Sequence, residues 1–180
     1  MEQEQVLGSL VKRYGIGSKS SRAAIEQLDK TLSGLNDWIG VRSLRERLLS
    51  SRRSSLGDDH EQTVDAMISL ANVCWRMGDF YRASRLDAEA LEISRRAFGE
   101  EHPLAVEAAS YTVRDLITQG RCKEAKALVA HAVEIARRVR PEDDKDREAL
   151  EWAARALTKT RLRAHYWAAF ARRDATFRGM

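Results

Sequence analysis

The residues best suited to chemistry in this 180-residue chain are a glycine-containing loop, four histidines, two cysteines and a cluster of arginine and serine. The loop is YGIGSKSS, Tyr14 to Ser21. A phosphate-cradling turn needs glycine directly before its lysine, a preceding strand, and backbone N–H groups gathered at a helix start. Here Ser18 precedes Lys19, and Val6, Leu10 and Tyr14 upstream fall at helical spacing. The stretch is therefore expected to be a bend between two helices, with Gly15 supplying the turn and the serines a helix cap.

The histidines stand at 60, 102, 131 and 165. None belongs to a recognisable Ser-His-Asp, Cys-His or paired-carboxylate arrangement, so the chain is not expected to be an enzyme or to need a cofactor. Cys74 and Cys122 have no Cys or His neighbour at metal-ligand spacing, which argues against zinc and against a disulfide framework. Both lie in apolar helical surroundings and read as small core residues. SSRRSS, Ser50 to Ser55, admits basic-directed phosphorylation at Ser54 or Ser55. A solvated helix running into a turn is the simpler reading and is preferred.

Elements that position these residues must be helices. Only two prolines occur among many Ala, Leu, Arg and Glu, which favours an all-α fold. No run approaches the ~18 apolar residues of a membrane span, and MEQEQVLGSL is acidic and polar where a secretion signal is basic and then apolar. The expected location is cytoplasmic, and a membrane partner is disfavoured. Residues 155–180 carry seven Arg or Lys against one Asp, a +6 surplus within a net charge of +4. Nucleic-acid binding, which spreads positive charge along a whole face, is thus disfavoured outside that last helix.

A repeat organises the rest. FGEEHPLAV, Phe98 to Val106, matches LGDDHEQTV, Leu56 to Val64, at Gly99/Gly57, His102/His60 and Val106/Val64, each 42 residues apart. The register continues through Gly78/Gly120, Ala83/Ala125, Leu86/Leu128, Ala90/Ala132 and Ile93/Ile135. His60 and His102 are accordingly expected to make turn and helix-start hydrogen bonds. Val64, Met67, Ile68, Ala71 and Cys74 recur at three and four residues before Gly78, and Phe80, Ala83, Leu86 or Asp87, and Ala90 after it. Each unit is a helical hairpin whose Ala71, Ala83 and Ala90 permit close approach, and such units must stack to bury their apolar faces.

The run SLANVCWRMGDFYRASRLDAEALEISRRAFGEEHP resembles a tetratricopeptide repeat of the 42-residue, kinesin-light-chain-like kind. Leu70, Ala71, Gly78, Phe80, Ala83, Leu86, Ala90, Leu91, Ile93, Phe98, Gly99, His102 and Pro103 carry the match. Glu61, Trp167 and Asp174 depart from it, and a HEAT-like or armadillo-like array is the alternative architecture. The resemblance implies a right-handed α-α solenoid of about four hairpins. Its divisions are a partial helix or cap over 1–14, a degenerate repeat over 15–56, repeats over 57–98 and 99–140, and a degenerate repeat with a basic aromatic helix over 141–180.

The resemblance further implies a concave surface, lined by first helices, that holds a peptide or a partner's helix. Register places Asp65, Ile68, Asn72, Trp75 and Arg76 there, with Glu107, Ser110, Arg114, Ile117 and Thr118 one repeat later. Asn72 and Arg114 would pair with a ligand's backbone or carboxylates, and Trp75 and Ile117 would be the apolar anchors. The expected function is a non-catalytic interaction module, either an adaptor or the recognition part of a signalling assembly, with a protein or peptide ligand of mixed charge. A second reading is a structural homo-oligomer formed through Leu162, Tyr166, Phe170 and Phe177 of the last helix, a stripe that otherwise caps the core.

Overall fold

The computed structural model describes residues 30–158 and is all-α there. Tyr14–Ser21 and the aromatic stripe Leu162–Phe177 lie outside the described residues. Residues 30–34 are helical and are followed by α1 (Trp38–Leu56), α2 (Glu61–Arg76), α3 (Phe80–Phe98), α4 (Pro103–Thr118), α5 (Cys122–Val139) and α6 (Lys145–Thr158). These make seven helices among the described residues. Two compact units divide the chain after Ala97. In the first, α1 packs on α2; in the second, α4 packs on α5, α5 on α6, and α4 also meets α6.

The 42-residue period of the sequence is the period of the helices. First helices begin at Glu61, Pro103 and Lys145, and second helices at Trp38, Phe80 and Cys122, so each start recurs 42 residues on. The local cause lies in the turns. Gly78 and Gly120 have φ of 82° and 75°, and Asn36, at the same repeat position, has φ 55°. A left-handed residue after a helix closes its last carbonyls. Asp79 N–H accordingly donates to Cys74 O at 2.9 Å, Arg121 N–H to Leu116 O at 2.8 Å, and Asp37 N–H to Leu32 O at 2.9 Å. Asparagine serves at position 36 because its short polar side chain tolerates this region better than other non-glycine residues do.

Helix starts are capped in register as well. His60 Nδ1 accepts from Gln62 N–H at 3.1 Å and His102 Nδ1 from Leu104 N–H at 3.3 Å, the structural role expected of the repeated histidines. Asp144 holds the equivalent position at the start of α6, where its Oδ1 accepts from Asp146 N–H and Arg147 N–H, both at 3.0 Å. Histidine and aspartate are interchangeable here because each offers an acceptor to the orphan amides of the first turn. Before second helices, Asp37 and Asp79 cap through Oδ1, bonding Gly40 N–H at 2.9 Å and Arg82 N–H at 3.2 Å. Arg121 takes that place before α5 and instead grips Glu124 with two bonds, at 2.8 and 2.5 Å.

Val64, Met67, Ile68, Ala71 and Cys74 are all buried, as their spacing predicts. Ala71, Ala83 and Ala90 are fully buried, consistent with the close helix approach expected of them. Cys122 departs from its expected place in the core: as the first residue of α5 it is half-buried, because the opening turn of a helix projects beyond the packed seam. Exposed ion pairs recur too, Arg96 with Asp59 at 2.6 Å and Arg138 with Glu101 at 2.9 Å. Solvent screening limits each to about 1 kcal/mol at most.

Candidate functional site

The sequence assigns partner-contacting residues to two helices, one in each unit. On α2, Asp65 is exposed and bonds Arg52 of α1 at 3.1 Å. Arg52 also donates to Gln62 O at 2.7 Å, so it clips the end of α1 to the start of α2. Asn72 is half-buried. Trp75 is half-buried, with its ring edge-on to Phe80 at 5.8 Å between centroids. Arg76 is exposed and stacks over the Trp38 ring at 5.2 Å. Ile68 is 3% exposed and belongs to the core. The sequence placed it both in the apolar stripe and on the contact face; packing resolves this in favour of the stripe.

On α4, Glu107, Ile117 and Thr118 are half-buried, and the Thr118 hydroxyl donates to Arg114 O of its own helix at 2.9 Å. Arg114, expected to reach a ligand, is instead 4% exposed. Its Nε donates to Asp115 Oδ1 at 3.0 Å and its guanidinium lies over the Tyr111 ring at 4.8 Å. Ser110 is buried as well. Its hydroxyl lies 2.9 Å from Glu107 O and 3.1 Å from Asp146 Oδ1 of α6. Ser110 and Arg114 are thus both buried, Ser110 against Asp146 of α6, which packs on a face of α4 that a single-helix register would leave open.

Burial pushes the Asp146 carboxyl above the usual carboxylate range, against the opposing effects of Lys145, the Ser110 hydrogen bond and Arg140. A raised value in the folded state means that the folded protein holds this proton more tightly than the unfolded chain does. Asp146 therefore contributes most to stability below its ordinary value, and that contribution is lost as pH rises through the folded-state value. Asp146→Asn is expected to raise Tm at neutral pH and to match the parent in acid, because the amide imposes no charge on the buried site. Parallel Tm profiles across pH would show that the carboxylate is adequately compensated.

Sequence reasoning missed a set of exposed apolar side chains in the first unit. Leu35, Ile39 and Tyr81 are between 70 and 75% exposed, and Phe80 is 37% exposed. The signal was available: Trp38–Ile39 and Phe80–Tyr81 are adjacent pairs standing 42 residues apart at the starts of second helices, whereas Cys122–Lys123 follows in the next repeat. Tyr111 and Trp152 were missed too; Trp152 occupies the repeat position of Ile68 and Ser110 and is half-buried.

His131 bonds Glu100 at 2.7 Å on the surface. Burial raises the Cys74 thiol above its usual range, leaving little thiolate for chemistry. Among the described residues no three His, Cys, Asp or Glu side chains converge to hold a metal, and no helix is long and apolar enough to cross a membrane.

Residues 67–138 match the family model described as tetratricopeptide repeat. A comparison with curated protein sequences finds no match. Among solved structures, the chain is similar to a candidate kinesin light chain of Podosopora anserina with nearly identical TPR-like repeats. That similarity has a TM-score of 0.66 at 18% identity, and covers 96% of this chain and 78% of the other. BtubC (BKLC) from P. vanneervenii is also similar, with a TM-score of 0.65 at 13% identity over 99% of this chain and 72% of the other. At such identities the likeness extends to the fold.

Proposed function

Because the chain is a tetratricopeptide-repeat protein, we propose that it is a non-catalytic module, an adaptor or the recognition part of a signalling assembly, that binds a protein or peptide in the cytoplasm. Tetratricopeptide repeats are generally protein–protein interaction modules, which supports the class of activity but names no partner. The observation that carries the reading is a partly exposed strip of α2. There a propped tryptophan, Trp75, adjoins a cation, Arg76, on the helix that also presents Asp65. Rigid aromatic anchors flanked by charge are the usual source of interface energy, because their side chains lose little entropy on binding. Both signs of charge occur on α2, so the preferred ligand carries both. Asn72 adds amide groups for a ligand's backbone, and Glu107, Ile117 and Thr118 of α4 form a second strip in the other unit. Ile68, Ser110 and Arg114 support these strips from within.

Free thiols at Cys74 and Cys122 agree with a reducing compartment. The test is affinity capture with mass spectrometry using the full chain, beside Trp75→Ala/Glu107→Gln and Arg76→Glu variants of verified helicity and Tm. A partner enriched by the parent and reduced tenfold or more by both variants is the expected result. Equal capture by all three proteins would exclude these strips as the contact surface.

A further inference from the structure

We propose that Ser55 is a phosphorylation site for an arginine-directed serine kinase, and that its phosphate unclips α1 from α2. Two observations choose Ser55 over Ser54. Along the chain, Arg52 and Arg53 stand three and two residues before Ser55, so an extended segment offers two guanidinium forks to a kinase groove lined with carboxylates. On the helix, Arg52 lies one turn before Ser55, within reach of a phosphate there, whereas the corresponding turn before Ser54 offers only Ser50 and Ser51.

Access is provided by the helix end. Ser55 is exposed and is the penultimate residue of α1, followed by Leu56 and by Gly57 with φ 85°. Its hydroxyl donates to Ser51 O at 2.8 Å, a bond within α1 itself. Terminal helical turns open at little cost, so the segment can extend into an active site. In the reaction the Ser55 Oγ attacks the γ-phosphorus of ATP. The new Oγ–P bond forms as the bond from that phosphorus to the bridging oxygen of ADP breaks, and the hydroxyl proton passes to the kinase's base.

The product places nearly two negative charges at a helix C-terminus, where the helix dipole disfavours them. Asp58 and Asp59 follow within four residues and repel them further. The cation one helical turn back is Arg52, which holds Asp65 at 3.1 Å and Gln62 O at 2.7 Å. Drawing Arg52 onto the phosphate removes both of its contacts with α2 and loosens that end of the helix pair, while Arg45 still donates to Ser69 O at 2.7 Å further along. Arg53 is engaged by Asp58 at 2.9 Å and by Glu89.

The experiment incubates the full chain with ATP and the catalytic subunit of cyclic-AMP-dependent protein kinase, then maps the phosphate by peptide mass and records Tm. One phosphate on Ser55 is expected, with incorporation abolished in Ser55→Ala, retained in Ser54→Ala and slowed at least tenfold in Arg52→Gln. The phosphorylated protein is expected to melt a few degrees lower than the unmodified one. No incorporation, phosphate that persists in Ser55→Ala, or an unchanged Tm would overturn the proposal.

Discussion

Replacing Arg114 with Ala will destabilise the second unit by about 3–5 kcal/mol, the range observed when one partner of a buried ion pair is removed. The side chains of Arg114 and Asp115 are 4 and 6% exposed, and the guanidinium Nε meets Asp115 Oδ1 at 3.0 Å. Truncation leaves a carboxylate with little water to solvate it, and it strips the face of the Tyr111 ring of the cation lying 4.8 Å above it. The lost charge partner, not the lost contact area, dominates the cost. Replacing both members with apolar residues, as in Arg114→Met/Asp115→Leu, is accordingly expected to recover most of the loss, since neither charge must then be buried. Urea unfolding of Arg114→Ala and of the double variant measures this directly. A single-variant loss below about 1 kcal/mol would mean that Asp115 is solvated or compensated after truncation. The same reasoning makes Arg114 a poor probe of partner binding, because its removal would abolish capture by unfolding the unit; Trp75, Arg76 and Glu107 are the residues to vary.

Leu70→Ala will cost about 2–5 kcal/mol, whereas Thr112→Ala, at the equivalent place one repeat later, will stay within about 0.5 kcal/mol. Leu70 is 1% exposed among α2 neighbours that are themselves buried, so truncation leaves a cavity that closely packed helices cannot collapse to fill. Thr112 is half-buried, and its hydroxyl is spent on Ala108 O within α4 at 2.8 Å. One repeat position thus carries core weight in one unit and almost none in the next. Thermal melts of the two variants provide the comparison. Equal losses would mean that the repeat position, and not the local burial, sets the energetic role.

Much of the fold was legible because its cause is local. The glycines of 42-residue spacing lie where positive φ is required, and His60 and His102 lie where the first amides of a helix need an acceptor. Such requirements are met within a few residues of chain, so they leave residue types at fixed intervals. Asp144 shows where reading by identity stops: it performs the histidine's capping role with different chemistry, and only the hydrogen bonds reveal the equivalence.

The candidate site was legible only in outline. Trp75, Arg76 and Asp65 keep exposed or partly exposed positions on α2, where the register put them. Ile68, Ser110 and Arg114 shared that register but are buried, because solvent exposure depends on which helices lie opposite, and those contacts join residues far apart in sequence. Ser110 meets Asp146 from 36 positions away and on another helix, and the periodicity within one helix says nothing about which residue of another helix lies opposite.

By itself, then, the sequence determined the helical class, the 42-residue period and the residues that turn and cap the chain, all consequences of short-range backbone chemistry. Only tertiary structure decided which polar side chains were drawn inside and that Arg52, one turn before Ser55, is the arginine that clips α1 to the neighbouring helix. These depend on packing in three dimensions, where the cost of burying a charge is set by partners that adjacent letters do not specify.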